Sequence, residues 1–167
     1  LTASWPDMQL PELLLQVDGW IGLSELFRTL AGQRSRSADF TRSLLTTLVA
    51  EGCNLGLTKM AALTPNVSVR GIRRIREQYL YEDTLRTLLD ALVKAQHQLP
   101  IANMLGDDTV SMSDGMRVAT RVHSIRAGFL PAHMAPGDRA LTFYSHVSHQ
   151  GPVFGCEVIG NERDATY

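Results

Sequence analysis

The sequence predicts an α+β chain, a mainly helical first part followed by antiparallel strands. Two observations carry that reading. Apolar residues recur at helical spacing from Phe40 to Val93. Beyond Gly106 the pattern changes to short β-branched and aromatic runs at 109–113, 141–148 and 153–159, separated by Gly, Pro and Asp.

Residues 1–9 carry Pro6 and mixed polarity and read as an irregular lead-in. Pro11 sits where a first helical turn tolerates it, and Glu12, Leu15 and Val17 follow. That predicts a short helix, with a strand over LLLQV as the alternative. A second helix is expected over 24–30, with Ser24 as cap, Leu26, Phe27 and Leu30 on one face, and an end near Gly32. Arg34 and Arg36 in QRSRS belong either to a solvated connection or to a phosphate-contacting arm. Residues 38–51 place Phe40, Leu44, Leu45, Leu48 and Val49 on a helical face, with Gly52 suited to the C′ position. Asn54 and Gly56 then break the helix and allow another to start.

Ser68 is expected to cap one long helix running toward Gln98, with Pro100 helping to stop it. Its buried side takes in Val69, Ile72, Ile75, Tyr79, Leu85, Leu88, Leu89, Leu92 and Val93. Arg70, Arg73 and Arg74 share a face, with Arg76 at its edge and Glu77, Glu82 and Asp83 close behind. The face is either a solvated ion-pair surface or a contact to a DNA backbone.

In GDDTVSMSDGMR, residues 106–117, alternation puts Val110, Met112 and Asp114 on one strand face. Burial of the two apolar side chains would present Asp114 at the strand end, before a turn at Gly115. Such a carboxylate suits a metal ion, although an acid before glycine is also an ordinary turn. Residues 118–140 read as connections. Strands follow at 141–148 and 153–159, joined by HQGP as a hairpin.

The 167 residues, 44% hydrophobic and 20% charged, suit a globular unit with a real core rather than disorder. A net charge of −1 confines any nucleic-acid contact to local patches. Cys53 and Cys156 lack metal-site or disulfide spacing and fit a reducing, cytoplasmic setting. No apolar run approaches a membrane span, and Leu1 in place of Met points to a piece of a longer protein. Phosphate-loop, dinucleotide and serine-elbow motifs are absent. His146 and His149, three apart on a strand, would face opposite sides, which argues against joint zinc ligation. The six methionines read as core filler.

LPIANMLGDDTVSMSDGMRV at 99–118 resembles the aspartate motif of Tn3-family transposases, as do CNLGLTKMA at 53–61, YLYEDTLRTLLDALVKAQHQLP at 79–100, FYSHVSHQ at 143–150 and RDATY at 163–167. LPELLLQVDGW at 10–20 is a weaker match. His149 stands where the family usually has aspartate and Met116 where it has glutamine. The resemblance implies a helical region, 1–104, preceding the first strands, 105–167, of an RNase-H-like DDE domain. It implies Asp114 as the first of three acids, two Asp and one Glu, that hold Mg²⁺ or Mn²⁺ for DNA cleavage and strand transfer in replicative transposition. The other two lie beyond Tyr167, so this chain alone is expected to be inactive and to hold no metal tightly. Asp107 and Asp108 are expected to be solvated, and Asp164 to form a structural salt bridge. His146 matches a family position and is either packed or substrate-facing. Arg70, Arg73, Arg74 and Arg117 are the candidate DNA contacts, and transposon ends and target DNA the implied partners, in a bacterial cytoplasm. An unfinished sheet edge would favour a homodimer. Two other readings stay open: a DNA-binding helix-turn-helix over 53–76 and a purely structural helical segment.

Overall fold

In a computed structural model, residues 7–34, 37, 39–107, 109–120, 124–129 and 139–160 are described. Helices α1 (Leu10–Ile21), α2 (Leu23–Leu26), α3 (Phe40–Gly52), α4 (Leu57–Leu63), α5 (Val69–Tyr79), α6 (Glu82–His97) and α7 (Ala102–Leu105) precede strands β1 (Ser111–Thr120), β2 (Arg139–Ser148) and β3 (Val153–Gly160). The chain divides into two compact units, Leu1–Leu92 and Val93–Tyr167.

The first unit packs around Leu23, Phe27, Leu44, Leu45, Ile75, Tyr79 and Leu88, flanked by Leu14, Val17, Ile21, Phe40 and Leu92. The 10–20 segment is thus helical, with Pro11 in its first turn, and the strand alternative falls away. Gly22, at φ 63°, ends α1, and the Asp18 carboxylate accepts from both the backbone and the hydroxyl of Ser24, turning the chain tightly into α2. The second helix is shorter than its spacing predicts. Phe27 leaves it in extended conformation because its ring is drawn into the core, where it is fully buried. In α3, Gly52 is the last helical residue, and the left-handed position falls to Asn54 at φ 51°. Gly56 at φ 78° then starts α4, so the expected break at Asn54 and Gly56 is present. Ser68 caps α5 through Oγ, which accepts from the Gly71 N–H at 3.0 Å.

The single long helix expected over 68–98 is two helices, broken at Leu80 and Tyr81. Tyr79 lies in the core with its ring 4.9 Å from Phe40, Leu80 packs against the same core, and the Tyr81 hydroxyl donates to the Thr29 carbonyl at 3.2 Å. On a continuous helix residues 79 and 81 point about 200° apart, so one helix cannot send all three inward. The break gives the second helix a new phase: α6 buries Thr84 and Leu88 and leaves Leu85 exposed, contrary to the expected face.

The second unit holds an antiparallel sheet in the order β1-β2-β3. The β2–β3 connection is a tight hairpin, as HQGP predicts: Ser148 N–H donates to the Pro152 carbonyl, with Gly151 at φ 99°. Buried Gln150 donates from Nε2 to the Gly106 carbonyl at 2.8 Å, and Gln96 Nε2 donates to the Gln150 carbonyl at 3.2 Å. These bonds tie the α6 terminus, the entry to β1 and the hairpin together. A Cβ at Gly106 would lie 2.5 Å from the His149 ring, so any other residue there would displace that ring. The observed architecture is α+β, as predicted.

Candidate active site

Asp114 is the fourth residue of β1, paired with Ser145 of β2, and β1 continues to Thr120. The expected strand end and turn at Gly115 are therefore corrected: the ladder to β2 runs unbroken from Ser111↔Ser148 to Thr120↔Arg139 and carries Gly115 within it, opposite Tyr144. Asp114 is exposed, and one of its oxygens, Oδ1, accepts from the Gly115 N–H at 2.8 Å.

Directly paired residues of an antiparallel ladder share a face, and alternate residues change face. Met112, Asp114 and Met116 thus lie on one side of the sheet with Val147, Ser145 and Phe143. Ser145 in turn pairs with Cys156, its Oγ donating to Sγ at 3.7 Å, which brings an exposed thiol to this face. Val110 and Met112 are not buried, contrary to expectation; they are 56% and 63% exposed. Met8, Met104 and Met116 are exposed as well, so core filling does not describe these methionines. For Met112 and Met116 the cause is the open sheet face they share with Asp114.

Arg117 is separated from that acid by strand alternation. Three positions along, it faces the other way, opposite Thr142, half-buried and with Nε lacking a hydrogen-bond partner among the described residues. His146 is also on the far face, paired with Ser113, and their side chains are hydrogen-bonded at 2.8 Å between Oγ and Nδ1. His149 sits in the hairpin turn. The two histidines do not meet, and among the described residues no three His, Cys, Asp or Glu side chains form a metal-sized cluster. Asp107 caps its own loop: its Oδ1 accepts from the Thr109 hydroxyl at 2.7 Å and backbone N–H at 3.2 Å, and chiefly the hydroxyl bond lowers its pKa. Arg36, Asp108 and Asp164 lie outside the described residues, as does RDATY.

Arg70, Arg73 and Arg74 are exposed along α5 in the first unit. The ion-pair surface expected beside them is sparse among the described residues. Arg76 pairs with Glu51 of α3 at 3.4 Å and Arg86 with Glu82 at 2.9 Å, while Glu77 forms no bridge to its helix neighbours. Nothing in the one-dimensional pattern marks Ser113, whose partner becomes visible only once the cross-strand register is known.

Residues 12–167 match the family model described as the Tn3 transposase DDE domain. The chain is 37% identical over 164 residues to the transposase for transposon Tn2501 of Escherichia coli, and 35% identical over 164 residues to that for Tn3926 of the same species. It is 32% identical over 163 residues to the transposase for Tn1546 of Enterococcus faecium. Each match covers 97% of this chain and 16% of the relative. With the aspartate motif on an exposed sheet face and a match over nearly its whole length, the chain belongs to the Tn3 transposase DDE domain family.

Proposed function

We propose that this chain forms part of a transposase that cuts and joins DNA, with Asp114 as the first carboxylate of its metal site. One observation carries the reading: within the family's aspartate motif, Asp114 stands exposed on a paired strand instead of being used up in a turn. The donor chemistry fits in part. A carboxylate on an open face, with the Ser145 hydroxyl beside it, suits a hard cation such as Mg²⁺ or Mn²⁺, whereas the nearby thiol and thioethers do not. When bound, such ions activate the attacking oxygen and stabilise the departing one. The residues of this chain supply one ligand, on a strand paired along its whole length with β2.

In this reading residues 105–167 are the opening strands of an RNase-H-like domain and residues 1–104 the helical region before it. Arg70, Arg73, Arg74 and Arg117 contact DNA, which comprises transposon ends and target, in the reducing bacterial cytoplasm where thiols such as Cys53 and Cys156 stay free. Among the described residues no helix is long and apolar enough to cross a membrane. The test is Mg²⁺- or Mn²⁺-dependent nicking of transposon-end DNA by three proteins: this chain, a version extended through the second Asp and the Glu, and the extended version with Asp114→Asn. Nicking by the extended protein alone is expected. Full activity after Asp114→Asn would refute the assignment.

A second reading, a non-enzymatic DNA-binding module, is favoured by the exposed arginines of α5, which follows α4 across a short turn as in a helix-turn-helix. It requires metal-independent duplex binding that depends on sequence.

A further inference from the structure

The placement of Asp114 depends on the register of β1, and along the strand itself little fixes it: the bonds from Gln150 to the Gly106 carbonyl and from the His149 N–H to the Val110 carbonyl hold only the residues before it. None of its residues is buried, and Met112, Met116 and Val118 are 63%, 64% and 41% exposed. Strand register is ordinarily set by apolar side chains that must reach a core, and a one-residue slip turns every side chain to the other face. For β1 that slip would pair Asp114 with Tyr144 or His146 and take its carboxylate off the open face. Backbone ladder bonds do not prevent it, because they re-form in the slipped pairing.

We infer that the Ser113–His146 hydrogen bond sets this register, making His146 a positioning residue for Asp114; the inference rests on the proposed catalytic role of that acid. Ser113 and His146 are directly paired, one step from the Asp114↔Ser145 pair, and their side chains meet at 2.8 Å. The imidazole is itself held. Tyr144 meets it edge-on at 5.0 Å between ring centres, and Phe154 stacks on it at 5.8 Å. Gly155, its partner on β3, leaves it room, since a Cβ there would approach Cδ2 to 3.1 Å. A ring fixed from three sides directs Nδ1 at one position of β1, and only a residue with a short polar side chain answers it. A slip one way would set Met112 opposite His146 and leave Nδ1 without a side-chain partner, while a slip the other way would set Asp114 there, its carboxylate drawn to the imidazole and away from the open face. His146 thus acts from the sheet face opposite Asp114, through strand pairing.

The test reads register and metal use separately. In the 167-residue chain, NMR cross-strand contacts report the Asp114↔Ser145 pair of β1–β2 and the Ser145↔Cys156 pair of β2–β3. With Ser113→Ala, which keeps the imidazole and its packing, and with His146→Ala, the first contact is expected to vanish or move by one residue while the second persists. His146→Asn, whose side-chain oxygen lies near the position of Nδ1, restores the first. In the extended protein, the Mn²⁺ concentration for half-maximal nicking is expected to rise about 10-fold in both alanine variants, the scale of losing a residue that orients a ligand. An unchanged Asp114↔Ser145 contact in both alanine variants overturns the register role. A shifted register with unaltered Mn²⁺ dependence overturns the positioning role. An Asp114→Asn protein that nicks normally overturns the catalytic reading instead, and the NMR measurement stands apart from that outcome.

Discussion

Asp107 and Asp114 are both acids of one short motif, yet their surroundings assign them different work. Asp107 spends an oxygen on Thr109, and that bond favours the charged carboxylate in the folded chain. Its folded pKa is below the ordinary carboxylate value, so its contribution to stability is complete above that value and is lost as pH falls through the lowered one. Thr109→Val removes the hydroxyl while keeping the side-chain shape. The expected result is an Asp107 carboxyl titration, followed by NMR, that moves up toward the unperturbed position; an unmoved curve would disprove the Thr109 bond. The sequence carries both acids plainly, but it does not say which one is held by a neighbouring hydroxyl. That distinction depends on a loop hydrogen bond two residues away and on whether the strand stops at Gly115 or pairs onward. Asp-Gly is a turn signal, and here the pairing of β1 with β2 on both sides of Gly115 outweighs it.

At the level of elements, the sequence specified which segments are helix or strand far better than where they end. The α5–α6 break carries no Pro or Gly, because it arises from Tyr79 and Leu80 turning to the core while Tyr81 reaches the Thr29 carbonyl. Packing of this kind is invisible to periodicity. It also decides which interactions matter for stability. Leu44 of α3 is fully buried, and Leu44→Ala is expected to cost about 3 to 5 kcal/mol through reduced burial and a residual cavity. Arg76→Ala, which removes an ion pair whose side chains are 56% and 40% exposed, is expected to cost less than about 1 kcal/mol. Urea unfolding followed by helical circular dichroism compares the two, and equal losses would contradict this ranking. The α5 arginines answer to a different readout. Replacing Arg70, Arg73 and Arg74 together should flatten the salt dependence of duplex binding by about 0.9 in log–log slope for each phosphate left without its arginine. A slope identical to that of the unaltered chain would remove them from the DNA surface.

Across the whole molecule both units leave apolar side chains open, and they differ in what lies beside them. The helical unit packs around Phe27, Leu44 and Ile72, each at 1% exposure or less, and carries Trp20, Leu30 and Leu63 on its surface at 69%, 81% and 68%. The sheet, by contrast, has one neighbour for β1 and one for β3 among the described residues, and leaves Met112, Met116, Val153 and Phe154 between 42% and 64% exposed. Unpaired strand edges beside apolar side chains are a template for a further strand, and the match covers only 16% of the relatives' length. For the 167-residue chain taken alone we propose that a second copy supplies that cover, giving a homodimer through the sheet. Sedimentation equilibrium over a concentration series should then show an average mass rising from monomer toward dimer. Met112→Lys places a charge on the open face and should shift the rise to higher concentration, because docking would bury an unpaired ammonium. The same substitution on α4, Leu63→Lys, serves as the control, since Leu63 is 68% exposed but belongs to the helical unit. Monomer mass at every concentration refutes the sheet-mediated dimer, and equal weakening by both substitutions places the interface elsewhere.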